Sequence, residues 1–446
     1  MKRLLNLSEH LEALRQLGFW ILLAIPAGLL AGTASAFFLW ALERVTDLRF
    51  EHGWLLFLLP VGGLLIGLLY HHWGKDSEGG NNVLLEQIHQ PGGGVPIRMA
   101  PLVLIGTLAT HLFGGSAGRE GTAVQMGGSL AGACGKYFKL RPDDLRLILM
   151  AGVAAGFGSV FGTPLAGAIF AMEVLVIGRI QYQALIPVLA ASLIGDVTCS
   201  AWGIHHTAYH IAIADGSGDR AALDFRLLGL TIAAGVIFGL ISQFFSEFVH
   251  YLQQFWKKTI AYAPLRPVAG GLVVIALTYL LGTRDYLGLG VHSPDPKAVT
   301  ILSAFNAGGA GPLSWWWKIL FTAVTLSCGF KGGEVTPLFF IGAALGNALA
   351  TLTGAPVDLF AGLGFIAVFA GASNTPLACT IMGIELFGSH NTVYFAVACF
   401  VAYYFSGHSG IYLSQRVGVS KRRHHELPKD LSLREAREWH FKARRK

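Results

Sequence analysis

Residues 114–122 of this chain read Gly-Gly-Ser-Ala-Gly-Arg-Glu-Gly-Thr, a glycine-rich loop that contains a glutamate and precedes an apolar stretch. Residues 330–337 read Phe-Lys-Gly-Gly-Glu-Val-Thr-Pro and offer the same arrangement. Free backbone N–H groups in such a loop, with the positive end of the helix that follows, form a binding site for a small anion. Glycines that only permit close helix packing are the alternative explanation. The presence of both loops in one chain favours the anion site.

These loops are part of an internal repeat, because three patterns return in the same order in the second half. The pairs are Ala27-Gly28-x-x-x-Gly32-x-x-x-x-Phe37-Phe38 with Ala234-Gly235-x-x-x-Gly239-x-x-x-x-Phe244-Phe245, Gly118–Thr122 with Gly332–Thr336, and Thr163–Ala166 with Thr375–Ala378. The chain therefore consists of two related halves, about residues 1–215 and 216–446. Paired halves are typical of secondary transporters, whose substrate site lies where the halves meet. The repeat alone leaves open whether the halves are parallel or inverted.

The composition indicates a polytopic membrane protein. Of 446 residues, 53% are hydrophobic and only 13% are charged, whereas an average soluble domain carries about 25% charged residues. A soluble protein could not bury so many apolar positions. Disorder, collagen and disulfide scaffolds are also excluded, because charge is low, glycine has no three-residue period and there are only five cysteines. We expect those cysteines to be inert packing residues.

The apolar stretches fall into two classes by length. Residues 17–42, 54–70 and 227–252 are long enough to cross the hydrocarbon core as helices. Residues 101–113, 122–137 and 335–349 are shorter, glycine-interrupted and bounded by charge. Such segments are typical of broken or partial helices that face protein rather than lipid.

Basic residues at the two ends predict the topology. Residues 1–16 and 416–446 are rich in Lys and Arg, and basic segments beside membrane spans are retained in the cytoplasm. We therefore expect a cytoplasmic N-terminal segment (1–16), two membrane halves (17–215 and 216–415) and a basic cytoplasmic tail (416–446). A nucleic-acid partner is not expected. The histidine pairs 71–72, 205–206 and 424–425 lack the i, i+4 spacing of a helical metal site, so no metal is expected either.

Glu120 is the unusual residue of the first loop. A carboxylate at an anion-binding helix start competes with the anion when ionised and leaves the site when protonated, which would make it both gate and proton carrier. The alternative is a carboxylate that only caps the helix dipole. The same argument applies less strongly to Glu334. We interpret Glu173 and Glu385, at matching positions of the two halves, as structural partners for backbone or arginine.

The motif Gly114-x-Ser116-x-Gly118 also matches the nucleophile elbow of hydrolases. That motif requires a preceding strand and a His/Asp pair elsewhere. Because no strand is predicted here, an intramembrane hydrolase is a weak alternative. A purely structural membrane protein is disfavoured, since intramembrane Glu and Lys are costly without a function.

Together these motifs resemble the CLC family of anion channels and proton-coupled antiporters. The resemblance rests on Gly118–Thr122, the Gly333-x-x-Thr336-Pro337 loop, the repeated Pro-Leu-Ala followed by Glu, and Gly410-Ile411-Tyr412, and it covers about residues 17–416. It implies an all-α membrane fold with two inverted-topology repeats and many broken or tilted helices. It also implies a homodimer in the bilayer with one anion pathway per subunit, and no cofactor.

The resemblance assigns roles to individual residues. Glu120 matches the family's gating glutamate, and Tyr412 matches a tyrosine whose hydroxyl closes the inner side of the central anion site. The implied ion-binding residues are Asn81, Gly118, Arg119, Gly121, Thr122, Gly333, Val335, Thr336 and Tyr412.

Departures from the chloride members resemble the bacterial fluoride branch, which exports fluoride in exchange for protons. Thr122 stands where chloride members usually have proline, and Asn81 stands where they have the chloride-coordinating serine. Glu334 adds a carboxylate to the second loop, while Val174 after Glu173 replaces the inner proton glutamate. The resemblance thus implies a fluoride/proton antiporter of the bacterial inner membrane, with Glu334 as a possible second coupling residue. A CLC-type chloride/proton exchanger or chloride channel remains the alternative.

Overall fold

The computed structural model describes residues 7–92, 94–212, 224–421, 428 and 430–443. In these residues the protein forms sixteen α-helices and one pair of two-residue strands. The helices of the first half are α1 (Leu7–Glu51), α2 (Leu59–Trp73), α3 (Asn81–His89), α4 (Met99–Leu112), α5 (Glu120–Tyr137), α6 (Pro142–Phe161), α7 (Pro164–Glu173) and α8 (Leu185–Ala201). Those of the second half are α9 (Phe225–Thr259), α10 (Arg266–Leu281), α11 (Ser314–Ser327), α12 (Val335–Thr353), α13 (Val357–Ser373), α14 (Pro376–Phe387), α15 (Thr392–Phe405) and α16 (Leu433–Ala443). The parallel strands are β1 (Val176–Ile177) and β2 (Arg416–Val417).

Within the described chain, seven helical segments are long and apolar enough to cross a membrane. The three long stretches predicted from sequence lie in the helical segments Leu7–Glu51, Gly53–Trp73 and Phe225–Thr259, so these predictions are confirmed. Because α1 begins at Leu7, part of the predicted N-terminal segment 1–16 is helical and continuous with the first long apolar stretch. The shorter predicted stretches form α4, α5 and α12, and most of their residues are buried in protein. α12 is longer than predicted, since it continues to Thr353.

A glutamate from each half caps a helix of the other half. The Glu173 carboxylate at the end of α7 accepts the backbone N–H groups of Leu377 and Ala378 at 3.1 and 2.8 Å. The Glu385 carboxylate of α14 accepts those of Leu165 and Ala166 at 2.9 and 2.8 Å. Each carboxylate therefore caps the free N-terminus of the matching helix in the other half. The prediction that both glutamates bind backbone is confirmed.

The helices α5 and α12 begin side by side and run in opposite directions. We call the side on which the C-terminal tail packs, marked by Glu86 and Glu247, the tail face, and the opposite side, marked by Ala304, the far face. The last turn of α5 lies against Gly94, near the tail face, and α12 runs to the far face, where Asn347 donates to the Ala304 carbonyl at 2.8 Å. The repeats are therefore inverted, which the sequence pattern had left open.

Close backbone approach holds the buried helices together. A side-chain carbon built on Gly342 of α12 would lie 2.0 Å from the Gly364 carbonyl oxygen of α13, and one built on Gly364 would lie 2.0 Å from the Gly342 carbonyl oxygen. No residue larger than glycine fits this contact. Many of the chain's glycines thus allow helix packing, as the alternative explanation proposed.

The tail is tied to the membrane region. Strand β2 pairs with β1, which follows α7, and Ser432 and Glu435 form a capping box at the start of α16. The Arg437 guanidinium binds the Glu247 carboxylate at 2.6 Å. Several predicted features lie outside the described residues: Lys2, Arg3, Arg422, Arg423, His424, His425, Lys429, Arg444, Arg445 and Lys446.

Candidate functional site

The two glycine-rich loops meet at one point in the interior. The Gly118 amide donates to the Gly333 carbonyl at 2.6 Å, and the Gly333 amide donates to the Gly118 carbonyl at 2.9 Å. A side-chain carbon on Gly333 would lie 2.7 Å from the Gly121 nitrogen, so glycine is required there. The N-termini of α5 and α12 are consequently adjacent, and the prediction that the halves meet at these loops is confirmed.

Glu120 occupies the N-terminus of α12. Its side chain is 0% exposed, and its Oε2 accepts the Thr336 backbone N–H at 3.0 Å and the Arg119 N–H at 3.1 Å. Its Oε1 accepts the Thr336 hydroxyl. The carboxylate thus takes the donors that a small anion would use at this helix start. Glu120 is the first residue of α5, but its carboxylate oxygens cap α12 of the other half.

The Arg119 guanidinium lies beside the Glu120 carboxylate but forms no hydrogen bond with it. The Arg119 Nε lies 3.7 Å from Glu120 Oε1. This Nε is buried and has no hydrogen-bond partner within the described residues. One donor beside the carboxylate is therefore unused.

The remaining predicted residues of the two loops contribute differently. The Thr122 hydroxyl pairs with the Thr107 hydroxyl at 2.7 Å, so it serves a contact between α5 and α4. Val335 is buried in the first turn of α12. A carbon on Gly121 would lie 3.0 Å from Gly333 Cα and 3.2 Å from Asn81 Nδ2, which places Asn81 beside the junction.

A cavity of about 180 Å³ on the tail-face side of the junction brings together three predicted residues. Its lining includes Asn81, Glu334 and Tyr412. Glu334 is partly exposed to this cavity, whereas Glu120 is fully enclosed. The carboxylate of the second loop therefore communicates with the tail-face cavity, and that of the first loop does not.

A smaller cavity of about 20 Å³ lies beside Asn81 and Tyr412 and is otherwise lined by apolar side chains such as Phe170. Its size is comparable to the 10–15 Å³ or more that one water molecule needs. The Asn81 Oδ1 is buried and lacks a hydrogen-bond partner in the part of the chain described. Asn81 and Tyr412 thus border a space for one small ion or one water.

Sequence reasoning missed Lys331, which lies in the quoted second loop. Its Nζ lies 3.8 Å from the centroid of the Tyr70 ring, a cation–π contact. Both residues line the 180 Å³ cavity and a second cavity of about 310 Å³, whose lining also includes Lys75, Lys257 and Arg266. A lysine inside an apolar stretch was the signal that could have identified it.

The nucleophile-elbow alternative lacks its structural context. Helix α4 precedes Ser116, where the motif requires a strand. The Ser116 hydroxyl pairs with the Thr322 hydroxyl at 2.9 Å, and the Ser116 amide donates to Thr325 at 3.1 Å. Among the residues described, its hydroxyl has no histidine partner.

Comparisons with known proteins agree with this geometry. The Voltage gated chloride channel family model matches residues 62–407. The "Chloride/fluoride channel protein" of Pseudomonas syringae pv. tomato is 48% identical over 97% of this chain and 94% of that protein. The "H(+)/Cl(-) exchange transporter ClcA" of Yersinia pestis is 27% identical over 66% of this chain and 62% of that protein.

A solved structure gives the same result for the fold. The crystal structure of a CLC-type fluoride/proton antiporter superposes with a TM-score of 0.84 at 34% identity, covering 90% of this chain and 98% of that one. The protein is therefore a multi-pass membrane transport protein rather than an enzyme, and it belongs to the fluoride branch of the CLC family.

Proposed function

We propose that the protein exports fluoride in exchange for protons, with Glu120 as the gate that carries the proton. The observation that carries this proposal is the position of the Glu120 carboxylate, which accepts the Thr336 amide and hydroxyl at the start of α12. The alternative role, a cap for the dipole of its own helix, does not require these contacts across the two halves.

The exchange follows from the donors that Glu120 occupies. When ionised, the carboxylate accepts hydrogen bonds from Thr336 and Arg119 and excludes an anion from the same donors. When protonated, it loses negative charge and the helix start favours an anion instead. The Glu120 carboxylate and the anion therefore replace each other at these donors, and protonation of Glu120 decides which of them is bound, which couples anion and proton movement.

Glu334 provides a proton path on the tail-face side. It lies on the 180 Å³ cavity together with Asn81 and Tyr412, so protons can reach it through a polar space. The position after Glu173 is Val174, which is buried and cannot titrate. Glu334 is thus the second coupling carboxylate of this proposal.

The small size of the site and its hydrogen-bond donors support fluoride as the transported anion. Fluoride is compact and strongly hydrated, so dehydration must be offset by close, strong donors. The Asn81 amide, the Thr336 hydroxyl and the Tyr412 hydroxyl are available near the junction. A chloride/proton exchanger or chloride channel is the second candidate, favoured by the 27% identity to a chloride exchanger.

The cellular setting belongs to the same proposal. We place the protein in the bacterial inner membrane with residues 1–16 and 416–446 cytoplasmic, so that the tail face is the inner face. The membrane halves 17–215 and 216–415 form the transport unit. Glu120 and Thr336 of one chain complete the gate, which supports one pathway in each subunit of the homodimer that we propose.

Reconstitution of the purified protein into liposomes tests this function. Fluoride and chloride efflux are followed with ion-selective electrodes while internal pH is recorded. The proposal predicts fast fluoride efflux with proton uptake and little chloride efflux. Equal or preferred chloride efflux would support the chloride candidate, and fluoride efflux without proton movement would indicate a channel.

A further inference from the structure

Gln415, three residues beyond Tyr412, belongs to a buried polar network that the function above does not use. Its side chain is 0% exposed. The Gln415 Nε2 donates to the Val174 carbonyl at 2.8 Å and to the Ser373 carbonyl at 3.0 Å. Its Oε1 accepts a hydrogen bond from the Asn374 Nδ2 at 2.9 Å. One side-chain amide thus joins the C-terminal ends of α7 and α13 to the segment that follows Tyr412.

A lysine of the tail fixes the orientation of both side-chain amides. The Lys421 Nζ donates to the Asn374 Oδ1 at 2.5 Å. It also donates to the Tyr403 carbonyl at 2.7 Å and to the Ser406 hydroxyl at 3.0 Å. Because an ammonium group only donates, the oxygen of Asn374 must face Lys421, and its NH₂ group must face Gln415. The oxygen of Gln415 then faces Asn374, and its NH₂ group faces the two carbonyls at the helix ends.

The segment that carries Tyr412 is anchored on both sides. Before Tyr412, the Ile411 amide donates to the Ala372 carbonyl of α13 at 2.9 Å. After it, the Gln415 amide donates to the Tyr412 carbonyl at 3.1 Å, while the Gln415 side chain binds the ends of α7 and α13. The Tyr412 ring contacts the Phe170 ring of α7, with 6.3 Å between the ring centroids. The position of Tyr412 relative to α7 and α13 is therefore set by Gln415 together with these contacts.

The network serves geometry more than stability. Apolar side chains of the same shape can replace a buried hydrogen-bonded pair at nearly neutral cost, whereas a fully hydrogen-bonded network holds one arrangement of its groups. Tyr412 needs such a fixed arrangement, because it lines the 180 Å³ cavity and also the 20 Å³ cavity together with Asn81. A hydroxyl that donates to a bound anion must be aligned with it, since hydrogen bonds weaken steeply when they are misaligned.

We propose that Gln415 is a positioning residue for anion transport, which holds Tyr412 where its hydroxyl donates to an anion beside Asn81. Lys421 orients the network and thereby makes the C-terminal tail part of the inner side of the anion site. This proposal rests on the proposed function for the place of the anion beside Asn81 and Tyr412. It does not depend on whether that anion is fluoride or chloride.

A double-mutant cycle tests whether Gln415 acts through Tyr412. The half-saturating fluoride concentration for efflux from liposomes is measured for the wild type, Gln415→Met, Tyr412→Phe and the double variant. Methionine keeps the length of the side chain and removes its three hydrogen bonds. Each single variant is expected to raise the half-saturating concentration roughly tenfold, as for the loss of a hydrogen bond to a charged group, without a matching fall in the maximal rate. The double variant is expected to match Tyr412→Phe alone.

Asn347→Leu is the matched control for a general loss of stability. Asn347 is 1% exposed, and its Nδ2 donates to the Ala304 and Asn306 carbonyls at 2.8 and 2.9 Å near the far face. Asn347→Leu therefore loses the same kind of buried amide contact at a distance from Tyr412. It should lower the melting temperature in detergent and keep the wild-type half-saturating concentration. A rise equal to that of Gln415→Met would overturn the proposal.

The outcomes of the cycle are distinct. An unchanged half-saturating concentration in Gln415→Met would overturn the proposal, and so would an effect of Gln415→Met that persists in full in the Tyr412→Phe background. If Gln415→Met does not elute as a folded protein on size exclusion, Lys421→Met replaces it, because this change removes the donor that orients both amides. A rise in the same direction that is absent in the Tyr412→Phe background is then expected.

The anion used in the assay separates this proposal from the proposed function. If the wild type moves chloride rather than fluoride, the same cycle is measured with chloride. Non-additive effects of Gln415→Met and Tyr412→Phe would then support the positioning role, and only the proposed fluoride function would fail. Additive effects with either anion would overturn the positioning role.

Discussion

The Glu120 carboxylate accepts the Thr336 backbone amide at 3.0 Å, although the two residues lie 216 positions apart. Glu120 begins α5 and Thr336 lies in the first turn of α12, so a residue of one half caps a helix of the other. The same carboxylate also accepts the Thr336 hydroxyl. This contact joins the repeats at the point where their N-termini create a positive potential.

Removing the Thr336 hydroxyl should weaken the closed gate. Thr336→Val keeps the backbone donor and the side-chain volume but loses the hydroxyl bond to Glu120. A hydrogen bond to a charged group contributes about 1.5–3 kcal/mol, so the closed state should become roughly tenfold less favoured or more. In liposomes we expect more fluoride to move per proton than in the wild type.

Thr351→Val is the matched control for this change. Thr351 lies on the same helix, and its hydroxyl bonds only the Asn347 carbonyl at 2.9 Å among the described residues. Thr351→Val should keep the wild-type ratio of fluoride to protons moved. Equal ratios in both variants would exclude the Thr336 hydroxyl from the gate.

Glu334→Gln tests the second carboxylate. Glu334 lines the 180 Å³ tail-face cavity. The neutral amide of the glutamine that replaces it cannot carry a proton. We expect proton movement to fall to background while fluoride efflux continues, measured by electrode and internal pH dye. Glu78→Gln changes another carboxylate of the same cavity and should keep coupling. Full coupling in Glu334→Gln would remove Glu334 from the proton path.

Asn81→Ser tests the origin of selectivity. The serine is shorter than asparagine and would enlarge the 20 Å³ cavity that Asn81 borders with Tyr412. We expect the ratio of chloride to fluoride efflux to increase. Asn82→Ser is the control, because Asn82 lines the larger cavity and its side chain accepts the Ser414 amide at 2.9 Å. An unchanged ratio in Asn81→Ser would mean that selectivity arises elsewhere.

Gly342→Ala should destabilise the fold. The new carbon would lie 2.0 Å from the Gly364 carbonyl oxygen, so α12 and α13 must separate. Overpacking of a core typically costs about 1–3 kcal/mol, and we expect a lower melting temperature in detergent. Gly229→Ala is the matched helical control, since no described atom lies within 4 Å of the added carbon. A melting temperature equal to that of Gly229→Ala would contradict the packing argument.

Much of the architecture could be predicted from sequence because repeated motifs are local. The glycine-rich loops, the paired glutamates Glu173 and Glu385 and the long apolar stretches each have a physical signature of their own. Their common meeting point also followed, since related halves of transporters join at the substrate site. The inverted relation of the halves could not be predicted, because a repeated sequence pattern does not show in which direction each half crosses the membrane.

The details of the site depend on contacts between distant residues. Nothing near Thr122 in sequence indicates that its hydroxyl pairs with Thr107. Arg49 and Arg284 are separated by about half of the chain, and only the fold places both on one cavity of about 340 Å³. Side-chain pairs of this kind are set by tertiary packing, which local patterns do not encode.

The most direct test of the account is proton-driven fluoride movement in Glu120→Gln. Liposomes receive equal fluoride on both sides, the membrane potential is clamped at zero, and a pH gradient is imposed. With fluoride/proton antiport, the wild type moves fluoride uphill until a fluoride gradient balances the proton gradient. Glu120→Gln should create no fluoride gradient, because its side chain cannot carry a proton. Uphill fluoride movement in Glu120→Gln equal to that of the wild type would contradict the account.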